Sequence, residues 1–173
     1  PICNINMNGP LRIMHVTNFA ERHDGRLYFV SIGQKISNGF IRSGHSVLNY
    51  SDRDIMRSGR GFFDLFGRRS LNKKIIEAVK NYNPNLLLIG HADLIYVNTL
   101  RKLKQFNKNL KIAQWFEDPL ISSGPDYAEN SQKVIDKLEY IDSTFVTTSP
   151  DVLEFNKKLS KFYYFPIPVD NSV

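Results

Sequence analysis

Residues 71–90 read LNKKIIEAVKNYNPNLLLIG, and the change of rhythm inside them decides the fold. Up to Pro84 the apolar residues Leu71, Ile75, Ile76, Val79 and Tyr82 recur at helical spacing on one stripe. Pro84 ends that helix, because a proline pushes the residue before it toward extended backbone. Leu86 to Ile89 then follow without a polar break, the mark of a strand covered on both faces. A helix feeding a doubly covered strand is the repeating step of a parallel sheet.

The same alternation extends in both directions. LRIMHVTNF (11–19) reads as a first strand, and a helix over 31–44 places Ile32, Ile36, Phe40 and Ile41 on one face with Gly44 as its stop. HSVLNYS (45–51) is a second strand. Beyond the opening stretch come a helix over 94–106, the strand KIAQWFED (111–118), and a helix over 131–141 carrying Val134, Ile135, Leu138 and Ile141. STFVTTS (143–149), the helix PDVLEFNKKLS (150–160) and KFYYFPIPVD (161–170) complete the series. Six strands and five helical patterns predict an α/β, Rossmann-like parallel sheet of order 3-2-1-4-5-6 with helices on both faces. Residues 1–10 are expected to be an irregular stretch outside the fold, and 11–165 the domain. Residues 166–173, with two prolines and then polar residues, begin an interdomain linker.

Composition narrows the class without choosing a function. The 173 residues suffice for one domain with a real core. The net charge of +6 favours anionic partners in general. One cysteine, Cys3, excludes a disulfide within the chain. No apolar run approaches the ~20 residues of a spanning helix, and the first ten residues lack a signal-peptide layout. A cytoplasmic protein is expected, with peripheral membrane contact left open.

In such a sheet the residues just past each strand converge on one edge, so chemistry is sought there. A dinucleotide fingerprint, a Walker loop, zinc-ligand spacing and a nucleophile elbow are all missing. No metal and no cofactor are expected. What stands at the strand ends is NFAERHDG, GHAD, EDP and TSPD, a rim rich in hydrogen-bonding groups and suited to a polyhydroxylated or phosphorylated ligand. Glu117, Asp118, His23 and His91 are the candidate catalytic groups, because carboxylates and imidazoles are the usual proton carriers near neutral pH. Asn18, Phe19, Glu21, Asp93, Trp115, Thr148 and Ser149 are candidate substrate contacts. Each has a structural alternative: His23 as a solvated loop residue, Asp93 as a helix cap, Asp118 as a turn residue before Pro119. His45, at the opposite edge, is read as a packing or turn residue.

A second feature is RSGRGFFDLFGRRSLNKK (57–74), where Phe62, Phe63, Leu65 and Phe66 interleave with basic residues and one acid, Asp64. Arg60, Phe62, Phe63, Arg68 and Arg69 are candidates for contact with a membrane or another anionic surface. The alternative is a loop whose aromatics plug the core. Nucleic acid is not expected, since no second basic stripe accompanies this one.

Several stretches resemble the N-terminal domain of GT-B glycosyltransferases. Arg42-Ser43-Gly44-His45-Ser46-Val47 is similar to the RxGHxV junction between that family's first helix and second strand. LNKKIIEAVKNYNPNLLLIGHAD resembles its next helix-then-strand unit. QWFEDP looks like a segment of spore-maturation-protein-like glycosyltransferases, and FPIPVD resembles the crossing to their second domain. The resemblance implies the acceptor-side half of a two-domain enzyme that uses a nucleotide sugar as co-substrate and a sugar acceptor as partner. The C-terminal domain would lie outside these residues. NFAERHDG departs from the family, where glycines are common in this first loop. The competing expectation is a stand-alone Rossmann-like module that binds a nucleotide, sugar or protein and catalyses nothing.

Overall fold

The computed structural model describes residues 9–19, 31–91, 93–154 and 161–169. Its elements are β1 (Arg12–Thr17), α1 (Ile32–Arg42), β2 (Ser46–Ser51), α2 (Asp52–Ser58), α3 (Arg68–Tyr82), β3 (Leu86–Gly90), α4 (Val97–Phe106), β4 (Lys111–Phe116), α5 (Tyr127–Ile135), β5 (Ser143–Val146) and β6 (Phe162–Tyr164). All six strands pair in parallel, in one sheet.

The sheet order is β2-β1-β3-β4-β5-β6, not the expected 3-2-1-4-5-6. The two orders differ in where β3 lies: at the edge beyond β2 in the expected one, between β1 and β4 in the observed one. β3 is the unbroken apolar run and is almost wholly buried, whereas β2 alternates Val47, Leu48 and Tyr50 with polar residues and stays half exposed. An edge position would have left Leu87 and Ile89 with one flank open to water, so the apolar strand lies inside. The change matters because the chain now reverses its direction of travel across the sheet between β1 and β3, and that is where ligands sit in such folds.

Strand alternation divides the core. Met14 and Val16 of β1, Leu87 and Ile89 of β3 and Ile112 of β4 face α3 and α4, meeting Leu71, Ile75, Val79, Leu100 and Leu103. Ile13, Leu88, Ala113 and Trp115 face the other way, toward Ile32, Ile36 and Phe40 of α1. A third cluster closes the far end, where Phe116, Val146 and Phe162 pack on Val134 and Leu138. At the end of α3, Asn83 takes a left-handed backbone (φ 48°) and its N–H bonds the Val79 carbonyl, ahead of Pro84.

Three local expectations change. α2 was not foreseen. α5 begins and ends earlier than 131–141. Bonds of Leu138 N–H to the Ile135 carbonyl and Tyr140 N–H to the Lys137 carbonyl tighten the chain there, yet still deliver Leu138 and Ile141 to the core. Of the helix expected over 150–160, a single 3-10 turn, Pro150–Val152, is present, and 155–160 lie outside the described residues. Among the described residues no helix is long and apolar enough to cross a membrane.

Candidate functional site

At the reversal point a cleft of about 360 Å³ opens above the carboxyl ends of β1, β2, β3 and β4. Its floor is closely packed. A Cβ on Gly90 would meet Trp115 Cζ2 at 2.4 Å and Thr17 Oγ1 at 2.5 Å, so only glycine lets the indole lie beneath the cleft. Thr17, Asn18, Ser31, Gly33, Asp52, Arg53, His91, Trp115 and Glu117 line it.

His91 follows β3 immediately and adopts a left-handed backbone, φ 56°. Its N–H bonds the Trp115 carbonyl at 3.2 Å, which holds that conformation in place. An imidazole in sparsely populated backbone space at a cleft is the kind of strain that surrounding structure must sustain. The ring is fixed on three sides. Nε2 lies 2.8 Å from Glu117 Oε1, Trp115 is 6.0 Å away edge-on, and Phe116 is 5.1 Å away. Asp118 Oδ2 is 3.9 Å from Nδ1, too far for a hydrogen bond but near enough to favour positive charge. The Glu117 hydrogen bond, opposed by burial and helped by the carboxylates of Glu117, Asp118 and Asp93, raises the His91 pKa above 6.5. The other Glu117 oxygen, Oε2, is buried without a hydrogen-bond partner among the described residues.

Beneath the cleft lies a second imidazole. His15 is fully buried, and the Trp115 indole N–H donates to its Nε2 at 3.0 Å. Indole can only donate, so Nε2 must accept and the proton must sit on Nδ1. Nδ1–H then donates to Ser37 Oγ at 2.8 Å, and that hydroxyl donates to Asn49 Oδ1 at 2.7 Å. Burial lowers the His15 pKa to about 3. This chain ties α1 and β2 to the ring that floors the cleft.

Asp52, the first residue of α2, enters the cleft from the side. It is 3% exposed, and burial outweighs the pull of Arg53 to raise its pKa to about 6. Arg53 beside it binds Asp93 Oδ2 at 2.7 Å. Both follow a strand directly, so the convergence rule pointed to SDRD as firmly as to the four stretches it was applied to. Asp52-Arg53-Asp54 is also an Asp-x-Asp triplet, a signal legible in the sequence. Asp54 turns away to accept from Ser51 Oγ at 2.6 Å. Among the described residues no group of three or more His, Cys, Asp or Glu side chains could hold a metal.

The remaining sequence candidates fall in different places. Glu117, His91, Trp115 and Asn18 line the cleft, and Asp93 reaches it through Arg53 rather than capping a helix. Phe19 is 2% exposed and packs on His15 below. Thr148 accepts from the Leu120 N–H at 3.0 Å and Ser149 opens the turn after β5, so neither is among the lining residues. Glu21 and His23 lie outside the described residues. His45 Nδ1 accepts from the Leu11 N–H at 3.3 Å, a turn-fixing contact. Arg68 does not face an anionic surface with Arg69. It turns inward, donating to the Asp93 and Leu94 carbonyls at 2.6 and 3.0 Å and stacking on Tyr96. Asn72 makes four more bonds nearby: its amide donates to the Arg68 and Leu94 carbonyls, and its oxygen accepts from Tyr96 N–H and Thr99 Oγ1. Together they pin the loop that carries His91.

No protein-family model matches the sequence, and no curated protein matches it. Among solved structures the fold is similar to that of an alpha-glucosyltransferase in complex with UDP and a 13-mer DNA containing a central A:G mismatch. The TM-score is 0.55 at 16% identity, over 92% of this chain and 42% of that one, so the chain spans less than half the length of that enzyme. A two-component response regulator of the LuxR family from Aurantimonas sp. SI85-9A1 gives a TM-score of 0.43 at 13% identity, over 91% and 90% of the chains, too loose to support inference. The chain thus has a fold shared with a glycosyltransferase, and a fold alone does not assign chemistry.

Proposed function

We propose that this chain is the acceptor-side half of a nucleotide-sugar-dependent glycosyltransferase, with His91 as the general base. The observation that carries it is the His91–Glu117 pair at 2.8 Å, held over a cleft at the point where the sheet order reverses. With Glu117 accepting Nε2–H, the neutral imidazole keeps its lone pair on Nδ1. An acceptor hydroxyl gives its proton to Nδ1 as its oxygen bonds to the sugar's anomeric carbon. The nucleotide leaves with the electron pair of the broken bond. The imidazolium formed is stabilised by Glu117 and Asp118, which is what two carboxylates beside one ring would contribute. The rim supports an acceptor rather than a donor phosphate: Asp93, Glu117 and Asp118 outnumber Arg53, the one lysine or arginine among the described lining residues, and Arg53 is already paired. Donor binding falls to a second domain outside these residues.

The test is transfer by the full-length protein, beginning with UDP-sugars because the glucosyltransferase neighbour holds UDP. Activity should rise with pH through a midpoint above 6.5 as His91 loses its proton. A protein that binds sugar or nucleotide but shows no turnover with any donor would instead support the non-catalytic module.

A further inference from the structure

The loop between α2 and α3 is not used by the cleft. Gly61 and Asp64 exchange backbone hydrogen bonds at 3.2 and 3.0 Å, so Phe62 and Phe63 form the tip of a two-residue turn. Phe62, Phe63, Leu65 and Phe66 are 88, 87, 72 and 75% exposed, while the most exposed other described phenylalanine, Phe106, reaches 54%. The base of the turn is clamped. The Asp64 carboxylate accepts the Ser70 N–H at 2.8 Å. Gly67 has φ +72° at a point where a Cβ would meet the Met56 carbonyl oxygen at 1.8 Å. The apolar side chains are therefore held out into water by a rigid base. Arg57, Arg60, Arg69, Lys73 and Lys74 flank them along the chain, Arg57 near Asp54 at 3.9 Å and Lys73 near Glu77 at 3.8 Å, and Asp64 is the single acid between residues 57 and 74.

We propose that this turn is a membrane wedge: the four apolar side chains enter the interface of an anionic bilayer while the cations that flank them in the chain meet its headgroups. An exposed apolar cluster rimmed by charge of one sign fits a surface that is apolar inside and negative outside. A second copy of this chain fits poorly, because a two-fold contact would bring a turn flanked by a net excess of cations against itself. A nucleic acid fits less well too. Phe62 and Phe63 stand edge-to-face at 86° with centroids 5.2 Å apart, and so present no parallel platform for stacked bases. α2, about 10 Å long, joins the wedge to Asp52 in the cleft. A docked protein would accordingly hold its cleft close to the headgroups.

Vesicle binding by the full-length protein tests this without donor or acceptor, so it is independent of any transfer activity. Vesicles with a third phosphatidylglycerol should bind at least about 10-fold more tightly than pure phosphatidylcholine, and 0.5 M salt should weaken that binding. Phe62→Ser plus Phe63→Ser should lose about 10-fold or more, whereas Phe106→Ser, on another face, should not. A Phe63→Trp variant should show blue-shifted emission on binding, against the constant background of buried Trp115. Equal binding by the Phe62/Phe63 variant, no vesicle binding, or an unshifted Phe63→Trp spectrum would overturn the proposal. So would preferential binding to single-stranded DNA, or a dimer that the serine variant dissolves. Glu117→Gln should bind vesicles normally even where transfer is lost, which separates failure of the wedge from failure of the active-site reading.

Discussion

Two imidazoles flank the same indole, each with its ring centre 6.0 Å from Trp115, and they have opposite electrostatic fates. Among the described residues His15 meets an N–H donor, a hydroxyl and no carboxylate, and burial drives its pKa to about 3. His91 meets Glu117 and Asp118, and its pKa is raised although it too is partly buried. Burial alone would have lowered both. The partner set decides: a donor on one side fixes a neutral tautomer, and acceptors on the other side favour the cation. The lower histidine stays neutral near neutral pH, and the upper one takes a proton more readily than a free imidazole.

The largest effect that could break this contrast is on turnover. His91→Asn, chosen because asparagine tolerates a left-handed backbone, should lower transfer by about 10²–10⁴ while the melting temperature changes little. Unaltered turnover would remove His91 from the chemistry.

Glu117→Gln comes next. It should reduce turnover by at least about 10–100-fold, the scale seen when the carboxylate orienting a metal-bound imidazole is removed. It should also move the His91 titration, followed by NMR, downward. The native pair stabilises the protonated ring, so its contribution to stability is full below about 6.5 and is lost as pH rises through the raised folded value. The variant should lose that pH dependence. Asp118→Asn, at 3.9 Å, should shift the titration in the same direction by less.

For His15 the expected change is in stability. His15→Leu leaves the Trp115 N–H and the Ser37–Asn49 pair without their shared partner and should cost about 2–4 kcal/mol in denaturant unfolding. In the wild type the unfolded chain takes up a proton below about 6.5 that the native state refuses until about 3. Stability should therefore fall with pH across that window, at up to about 1.4 kcal/mol per unit, and the leucine variant should lack this slope.

Asp52 gives the smallest and oppositely signed effect. Its folded pKa of about 6 lies above the ordinary 3.8, so the charged form is disfavoured and native stability declines as pH rises from about 3.8 to 6. Asp52→Asn should stabilise the protein at pH 7 by roughly 1–2 kcal/mol, a gain that vanishes below about pH 4. A destabilised variant would mean that the carboxylate serves the fold.

The α/β class, the parallel strands and the convergence of GHAD and EDP on one rim could be read from the sequence, because hydrophobic period and strand ends are local properties of the chain. The strand order was half visible. LLLIG declared itself covered on both faces, and only a familiar topology placed it at an edge; burial of that run is what moves it beside β1. Asp52 and Arg53 are equally visible, just past the end of β2. Position past a strand end marked His91 and left His15 inside a strand, but nothing local gave their opposite proton affinities or told Arg68 from Arg69. Those differences come from contacts between residues far apart in the chain, Trp115 with His15 and Arg68 with the Asp93 carbonyl. A proton's affinity depends on which groups the fold brings within a few ångströms, and that is decided by tertiary structure alone.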